Sequence, residues 1–240
     1  MERVLKLLRR EPSSPDTSRG YLDLIGGRSP TAKASLAQRL MNSTALPLVY
    51  ENVWRPALIG LAKGPFGPSA DEEMALLREL LDLSEGDVVL DVACGPGNVA
   101  RALAPHAGLV IGLDASATML DRAVGESARF LYRDRLEFVR ADAVDLPFET
   151  GSFDAVSCVA ALHLFDRPFD ALASMARVLK PGGRLAILTT RRVTVVSELV
   201  RLGGVRMFGG GEIAGALAEL GFHDVRRRAF GLMQLLGARA

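Results

Sequence analysis

The chain has 240 residues, enough for one α/β domain with an added segment and too few for two domains of ordinary size. Apolar residues make up 49% of it and charged residues 24%, which allows a sizeable buried core. Its net charge of +1 supplies none of the strong basic field needed to hold a nucleic-acid backbone, so no nucleic-acid partner is expected. The two cysteines, Cys94 and Cys158, sit in stretches that read as buried. They form neither a disulfide framework nor a spaced metal site, so no metal is expected. No apolar run is long enough to span a bilayer, and no leader precedes a cleavage site. A cytoplasmic protein acting as a monomer or homodimer is therefore the expectation.

Residues 1–20 open with a short basic helix candidate and a Pro/Ser stretch, and the start is expected to be loose. Helical patterns over 33–41 and 49–62 are separated by Pro and Gly signals. Ser69 and Glu72 have capping-box spacing ahead of the apolar-periodic run 74–81. From residue 83 onward strands and helices alternate. Strands are predicted over 88–92, 109–113, 136–140, 153–159 and 184–189, with helices opening near 98, 117 and 168. Short apolar runs joined by helices indicate a parallel sheet covered on both faces. A last helix over 212–220 stops at Gly221, the C′ glycine. Strand-like pieces at 223–229 and 232–238 flank Gly231 and suit a terminal antiparallel hairpin. Arg226-Arg-Arg228 on the first of them reads as a solvated edge. The change of pattern divides the chain into an N-terminal helical cap, 1–67, and an α/β domain, 68–240.

The strongest local signal is Asp91-Val-Ala-Cys-Gly-Pro-Gly97, placed where the first long strand ends and a helix opens. Ligands of open α/β sheets bind at that edge, where strand order reverses. Gly95 and Gly97 let the backbone turn sharply and lie close to a ligand. The helix start adds unpaired N–H groups. Gly95-Pro-Gly97-Asn-Val-Ala100 also fits the dinucleotide pattern. Asp91 tilts the choice, because a carboxylate here suits a ligand with an ammonium group and repels a pyrophosphate. The same carboxylate can instead fix the loop through backbone N–H bonds. Asp114 closes the second strand, where a carboxylate accepts both hydroxyls of a ribose. The alternative role is an N-cap, for which Ser116 is the better candidate. Met119, one turn on, can cover an aromatic base or pack in the core. Asp142 follows the third strand and can accept from an exocyclic amine, or stand as a solvated turn residue.

Five stretches in order carry a resemblance. They are Val89-Leu-Asp-Val-Ala-Cys-Gly-Pro-Gly97, Gly112-Leu-Asp-Ala-Ser116 with Met119-Leu120, and Ala141-Asp-Ala143. Leu146-Pro-Phe148 with Ser152-Phe-Asp154 follows, and then Arg177-Val-Leu-Lys-Pro-Gly-Gly183. From about residue 83 to 188 the chain resembles the class I S-adenosylmethionine-dependent methyltransferases, especially the ubiquinone and menaquinone C-methyltransferase branch. The resemblance implies a Rossmann-like three-layer sandwich with a seven-stranded, mostly parallel sheet. It implies S-adenosylmethionine as cofactor and S-adenosylhomocysteine as product. Gly95 and Gly97 would cradle the methionine part, with Asp91 beside it. Asp114 with Ala115 would take the ribose, and Asp142 with Ala143 the adenine. Ala93, Met119 and Val159 would complete the cofactor wall. Ala93 departs from the family, which often has glycine there. Within Lys180-Pro-Gly-Gly183, Pro181 and Gly182 fit the centre of a type II turn.

Methyl transfer from a sulfonium needs alignment and exclusion of water more than it needs acid–base help. A base is required only when the nucleophile must lose a proton. His163, just past the fourth strand, is the candidate, as base, as substrate contact or as a structural hydrogen-bonding group. Tyr50, Trp54 and Arg55 in the N-terminal segment are expected to cover the pocket, with Phe165, Met207 and Phe208 on the other side. Gly209 to Gly211 is a candidate hinge. The acceptor is expected to be a small molecule, methylated on carbon, oxygen or nitrogen. The competing readings are an NAD(P)-dependent oxidoreductase and a protein of this fold that binds the cofactor without methyl transfer, such as a cyclase or binding module.

Overall fold

The computed structural model describes residues 1–26, 62–64, 67–193 and 205–240. In chain order the elements are α1 (Glu2–Leu5), β1 (Leu22–Asp23), α2 (Ala70–Leu81), β2 (Val88–Val92), α3 (Asn98–Leu103), β3 (Leu109–Asp114) and α4 (Ala117–Ser127). There follow β4 (Leu136–Arg140), β5 (Phe153–Val159), α5 (Pro168–Val178), β6 (Leu179–Thr190), α6 (Glu212–Glu219), β7 (His223–Phe230) and β8 (Met233–Arg239). The expected helices at 33–41 and 49–62 lie almost wholly outside the described residues.

One sheet in the order β1-β4-β3-β2-β5-β6-β8-β7 organises the chain. The first six strands in chain order run parallel, and β8 enters antiparallel between β6 and β7. The central strands split their apolar residues between two faces, as a sheet covered on both sides requires. Val89, Val110, Phe138 and Ala186 pack with α2, α3 and α4. Leu90, Ile111, Val139 and Ile187 pack with α1, α5 and α6. The expected three-layer sandwich is present.

The sheet has eight strands, not the seven expected. The additional strand, β1, pairs in parallel with β4 at the edge. It is two residues long, too short to show the period of two by which a strand is recognised. The opening residues are also better fixed than their composition predicts. Val4 and Leu8 are buried in the core. The Arg9 N–H donates to the Pro147 carbonyl at 2.9 Å and the Glu149 N–H to the Leu7 carbonyl at 2.8 Å. The first residues are thus tied to the loop between β4 and β5.

Local signals are realised closely. Ser69 and Glu72 form the reciprocal capping box that starts α2. At the end of α6 the Gly221 N–H reaches Ala218 and the Phe222 N–H reaches Leu217, each at 3.0 Å, with Gly221 at φ +89°. That is a Schellman ending. Gly182 sits at φ +75°, as the expected turn requires, but the turn lies inside a longer β6. Leu179 already pairs with Phe153, and the register shifts before Ala155 meets Arg184. In the β7–β8 turn, a Cβ on Gly231 would fall 2.1 Å from the Ala62 carbonyl oxygen, so only glycine fits.

The motifs between the strands hold one another. Arg177 donates to the carbonyls of Phe148 and Leu146, both at 2.7 Å. Lys180 binds both oxygens of Asp154 at 2.8 Å, and the Val88 N–H donates to Asp154 at 2.9 Å. Burial would raise the Asp154 carboxyl, but these bonds and the Lys180 charge outweigh it and leave its pKa lowered. A carboxyl depressed on folding stabilises above its unfolded value and loses that contribution as pH falls through the folded value. The urea midpoint of the wild type should therefore exceed that of Asp154→Asn at neutral pH, and the gap should close in acid. A gap that stays constant with pH would mean that the ion pair adds no stability.

Candidate functional site

Strand order reverses between β2 and β5, so the chain winds outward from β2 in one direction and from β5 in the other. Such a reversal leaves a crevice beyond the carboxyl ends of the two strands. Asp91 and Ser157 face each other there in register, and the Ser157 hydroxyl donates to Asp91 at 2.8 Å. Asp91 is only 1% exposed. A buried carboxylate needs such partners, since an unpaired one would cost several kcal/mol or more.

Both strands then end on an alanine in the left-handed region, Ala93 at φ +56° and Ala160 at φ +54°. An L-residue pays roughly 1–2 kcal/mol for this conformation, and strain of this kind gathers at ligand sites. The Cys94 N–H bonds to the Leu113 carbonyl and the Ala160 N–H to the Leu188 carbonyl. Each chain thus swings over the tip of its neighbouring strand. Gly95 at φ +54° and Gly97 at φ +78° complete the bend into α3.

Cys94 lies beneath this bend. A Cβ on Gly112 would come within 2.9 Å of its sulfur and 2.8 Å of the Phe138 ring, so the glycine in β3 makes room for both. Burial raises the Cys94 thiol well above its usual value, and the Asp114 and Asp91 charges add to the effect. Cys158 is raised by burial and by Asp91. Both stay protonated and neither is suited to act as a nucleophile.

Asp114, at the tip of β3, accepts from the Gly95 N–H at 2.9 Å and from the Ser116 N–H at 2.8 Å. Ser116 caps α4, as expected, by accepting from the Met119 N–H. Asp114 therefore braces the glycine bend against the next helix. Met119 is buried, Ala143 is buried, and Ala115 and Val159 are half-buried. Asp142 is exposed and accepts from the Val144 N–H at 2.9 Å, which shapes the turn after β4. The candidate residues on β2, β3, β4 and β5 thus come together along one edge of the sheet.

His163 belongs to a 3-10 turn, Leu162–Leu164, just past β5. Its Nδ1 is 3.5 Å from the Thr189 hydroxyl on β6, and its carbonyl accepts from the Arg206 N–H at 3.3 Å. Phe165 is half-buried against the core. Tyr50, Trp54 and Arg55 lie outside the described residues. Met207 and Phe208, expected to help cover the pocket, are buried. Phe208 meets Phe169 edge-on at 6.3 Å, and Arg206 stands over both rings. Gly209 and Gly211 lead into α6, where the Glu212 carboxylate accepts from the Gly209 N–H at 2.7 Å.

Three positioning residues escaped the sequence reading. Ser157 had a signal, as a polar residue within the apolar run 155–159 of a strand next to the one carrying Asp91. Arg101 pins the bend by donating to the Pro96 carbonyl at 2.7 Å while pairing with Glu126. Arg140 binds Asp23 at 2.9 Å and the Ala115 carbonyl at 3.0 Å, joining β1 to the loop beside Asp114. Neither arginine announces its partner by spacing.

A glycine bend at the strand reversal, with carboxylates on three adjacent strand tips, is the arrangement of class I S-adenosylmethionine-dependent methyltransferases. Residues 90–187 match the family model described as a methyltransferase domain. An uncharacterized chloroplastic methyltransferase of Arabidopsis thaliana is 36% identical over 154 residues, which are 62% of this chain and 42% of that protein. A demethylmenaquinone methyltransferase of Clavibacter sepedonicus is 45% identical over 102 residues, 42% of this chain and 40% of the other. The chain thus spans less than half the length of these relatives. The geranyl diphosphate C-methyltransferase of Streptomyces coelicolor, solved with S-adenosyl-L-homocysteine, has a similar fold. Its TM-score is 0.62 at 18% identity, over 75% of this chain and 84% of that one.

Replacing Ala93 by glycine removes left-handed strain but frees the unfolded chain, so the two effects should cancel to within about 0.5 kcal/mol. Ala100→Gly, in the buried helix α3, should cost at least about 1 kcal/mol. Equal losses in denaturant titrations of the two variants would show that Ala93 is unstrained.

Proposed function

We propose that the protein transfers a methyl group from S-adenosylmethionine to a small organic acceptor by in-line displacement. The observation that carries this reading is the edge of the sheet itself. Asp91, Asp114 and Asp142 stand on the tips of three adjacent strands around a bend whose glycines take left-handed angles. Carboxylates so placed suit an adenosyl amino acid with its cationic groups, and they oppose a pyrophosphate.

S-adenosylmethionine supplies an electrophilic methyl on a sulfonium whose leaving group is already activated. The chain's own residues supply place and orientation. Asp114 accepts from the ribose hydroxyls while keeping its bonds to Gly95 and Ser116. Gly95 and Gly97 let backbone approach the amino-acid end, near Asp91. Asp142 and the Ala143 N–H take the adenine edge, with Ala93, Ala115, Met119 and Val159 as walls. His163 serves the acceptor side and takes a proton only where the acceptor nucleophile must lose one. Phe165 borders it, and Tyr50, Trp54 and Arg55 of the N-terminal segment cover the acceptor side. Among the described residues no helix is long and apolar enough to cross a membrane. The near-neutral chain fits a small-molecule acceptor in the cytoplasm better than a nucleic acid.

Calorimetric titration with S-adenosylhomocysteine tests the reading. Asp114→Ala should weaken binding by about 1–3 kcal/mol, because charge-assisted hydrogen bonds are lost. His163→Ala should leave that affinity within about twofold, since it stands on the acceptor side. Binding of a nicotinamide dinucleotide in place of the adenosyl ligand would overturn the proposal.

A further inference from the structure

Residues 16–26 clasp the part of the chain that follows Asp114. The Arg19 guanidinium pairs with Asp121 on α4. Gly20, at φ +81°, lies against Val124, where a Cβ would fall 2.8 Å from a methyl carbon. β1 then runs beside β4, with Asp23 level with Arg140 and Arg140 level with Asp114. The Leu24 N–H donates to the Arg140 carbonyl at 3.0 Å. The Arg140 side chain joins the clasp to the tip of β3. Its Nη1 donates to Asp23 at 2.9 Å and to the Gly26 carbonyl at 3.0 Å, while its Nε donates to the Ala115 carbonyl at 3.0 Å. Asp23 is fixed in turn, because its other oxygen accepts from the Ile25 N–H at 3.0 Å and the Gly26 N–H at 2.8 Å. The two side chains are only 14% and 13% exposed, so water competes little for these bonds.

The Ala115 carbonyl belongs to the same planar peptide as the Ser116 N–H. That N–H donates to one oxygen of Asp114 at 2.8 Å, and the Gly95 N–H donates to the other at 2.9 Å. Rotation of the 115–116 peptide would carry the Ser116 N–H away from the carboxylate. Arg140 opposes that rotation by holding the carbonyl end of the same plane. A chain of bonds thus runs from Asp23 through one guanidinium and one peptide to the Asp114 carboxylate. Arg101, the other arginine beside the bend, bonds to Pro96, Asn98 and Glu126, none of which belongs to the 114–116 turn.

Resting on the cofactor reading above, we propose that Arg140 and Asp23 are positioning residues for the cofactor, which orient Asp114 toward the ribose hydroxyls and make residues 16–26 and the ribose site one coupled unit. A carboxylate held in its bound orientation loses little freedom when the ligand arrives, and that saving appears as affinity for the ribose. Coupling is reciprocal, so a ligand that engages Asp114 tightens the clasp by the same factor by which the clasp tightens the ligand.

The test titrates the full chain calorimetrically with two ligands, S-adenosylhomocysteine and its 2′-deoxy analogue, which lacks one ribose hydroxyl. The wild type should bind the ribose ligand about tenfold or more tighter, as the loss of a charge-assisted hydrogen bond implies. Arg140→Met should bring the two ligands to within about threefold, because the 115–116 peptide is no longer held. Asp23→Ala should shrink the preference as well. Arg140→Lys should resemble Arg140→Met, since an ammonium lacks the planar fork that reaches Asp23 and Ala115 together. A residue that only supports the fold would weaken both ligands alike and leave their ratio unchanged. Hydrogen exchange on the unaltered chain gives a second measurement that needs no variant to fold. Saturation with S-adenosylhomocysteine should slow exchange of the Leu24, Ile25 and Gly26 amides by about fivefold or more, and saturation with the 2′-deoxy ligand should slow it less. A preference unchanged in both Arg140→Met and Asp23→Ala overturns the proposal, and so does exchange at residues 24–26 that ignores the ligand. A wild type that fails to bind S-adenosylhomocysteine, or that binds both ligands equally, counts instead against the cofactor reading beneath it and takes the proposal with it.

Discussion

The hydrogen bond between Ser157 and Asp91 crosses the one place where the sheet's winding changes direction. Everything at the carboxyl edge is built outward from it. A carboxylate buried to this degree is tolerated only in fixed company, so β2 and β5 are locked in register at that level. Two residues beyond Asp91 and three beyond Ser157, each strand bends through a left-handed alanine. The pair of bends opens the crevice. The glycine bend, the brace from Asp114 and the turn holding His163 all take their positions from it.

A second layer of bonds turns scattered motifs into one frame. Arg101 fixes the bend from below, Arg140 ties it to β1, and Arg177 holds the loop that contains Leu146 and Phe148. Lys180 and Asp154 join the starts of β6 and β5, and Asp154 reaches Val88 at the start of β2. The stretches that carry the family resemblance are thus spatial partners as well as sequence markers. All five are bonded to one another or to the strand that carries the glycine bend, the Ala141 N–H donating to the Asp114 carbonyl at 3.2 Å.

Much of this was readable from the chain. Apolar runs of strand length gave the parallel sheet, and capping residues gave the starts of α2 and α4 and the end of α6. Asp91, Asp114 and Asp142 were recognisable because they punctuate the ends of apolar strands. What escaped notice depends on distance in sequence. Leu22–Asp23 is a strand only because β4 offers an unpaired edge. Arg140 and Asp23 are 117 residues apart, and no periodicity links them. Phe208 was legible only as an aromatic before a run of glycines; its packing against Phe169 and Arg206 is something only the folded chain brings to it. The double use of Asp114, as brace and as candidate ligand group, was hidden for the same reason.

Gly231 has a consequence for the order in which the chain can assemble. Its turn lies against the carbonyl of Ala62, and the Leu232 N–H bonds to that same oxygen at 2.6 Å. Residues near position 62 leave the ribosome long before position 231 exists. They cannot reach their final seat until β8 has slipped between β6 and β7. Contacts so far apart in sequence form late and slowly. The stretch at Ala62 must therefore wait for the last hairpin before it can dock.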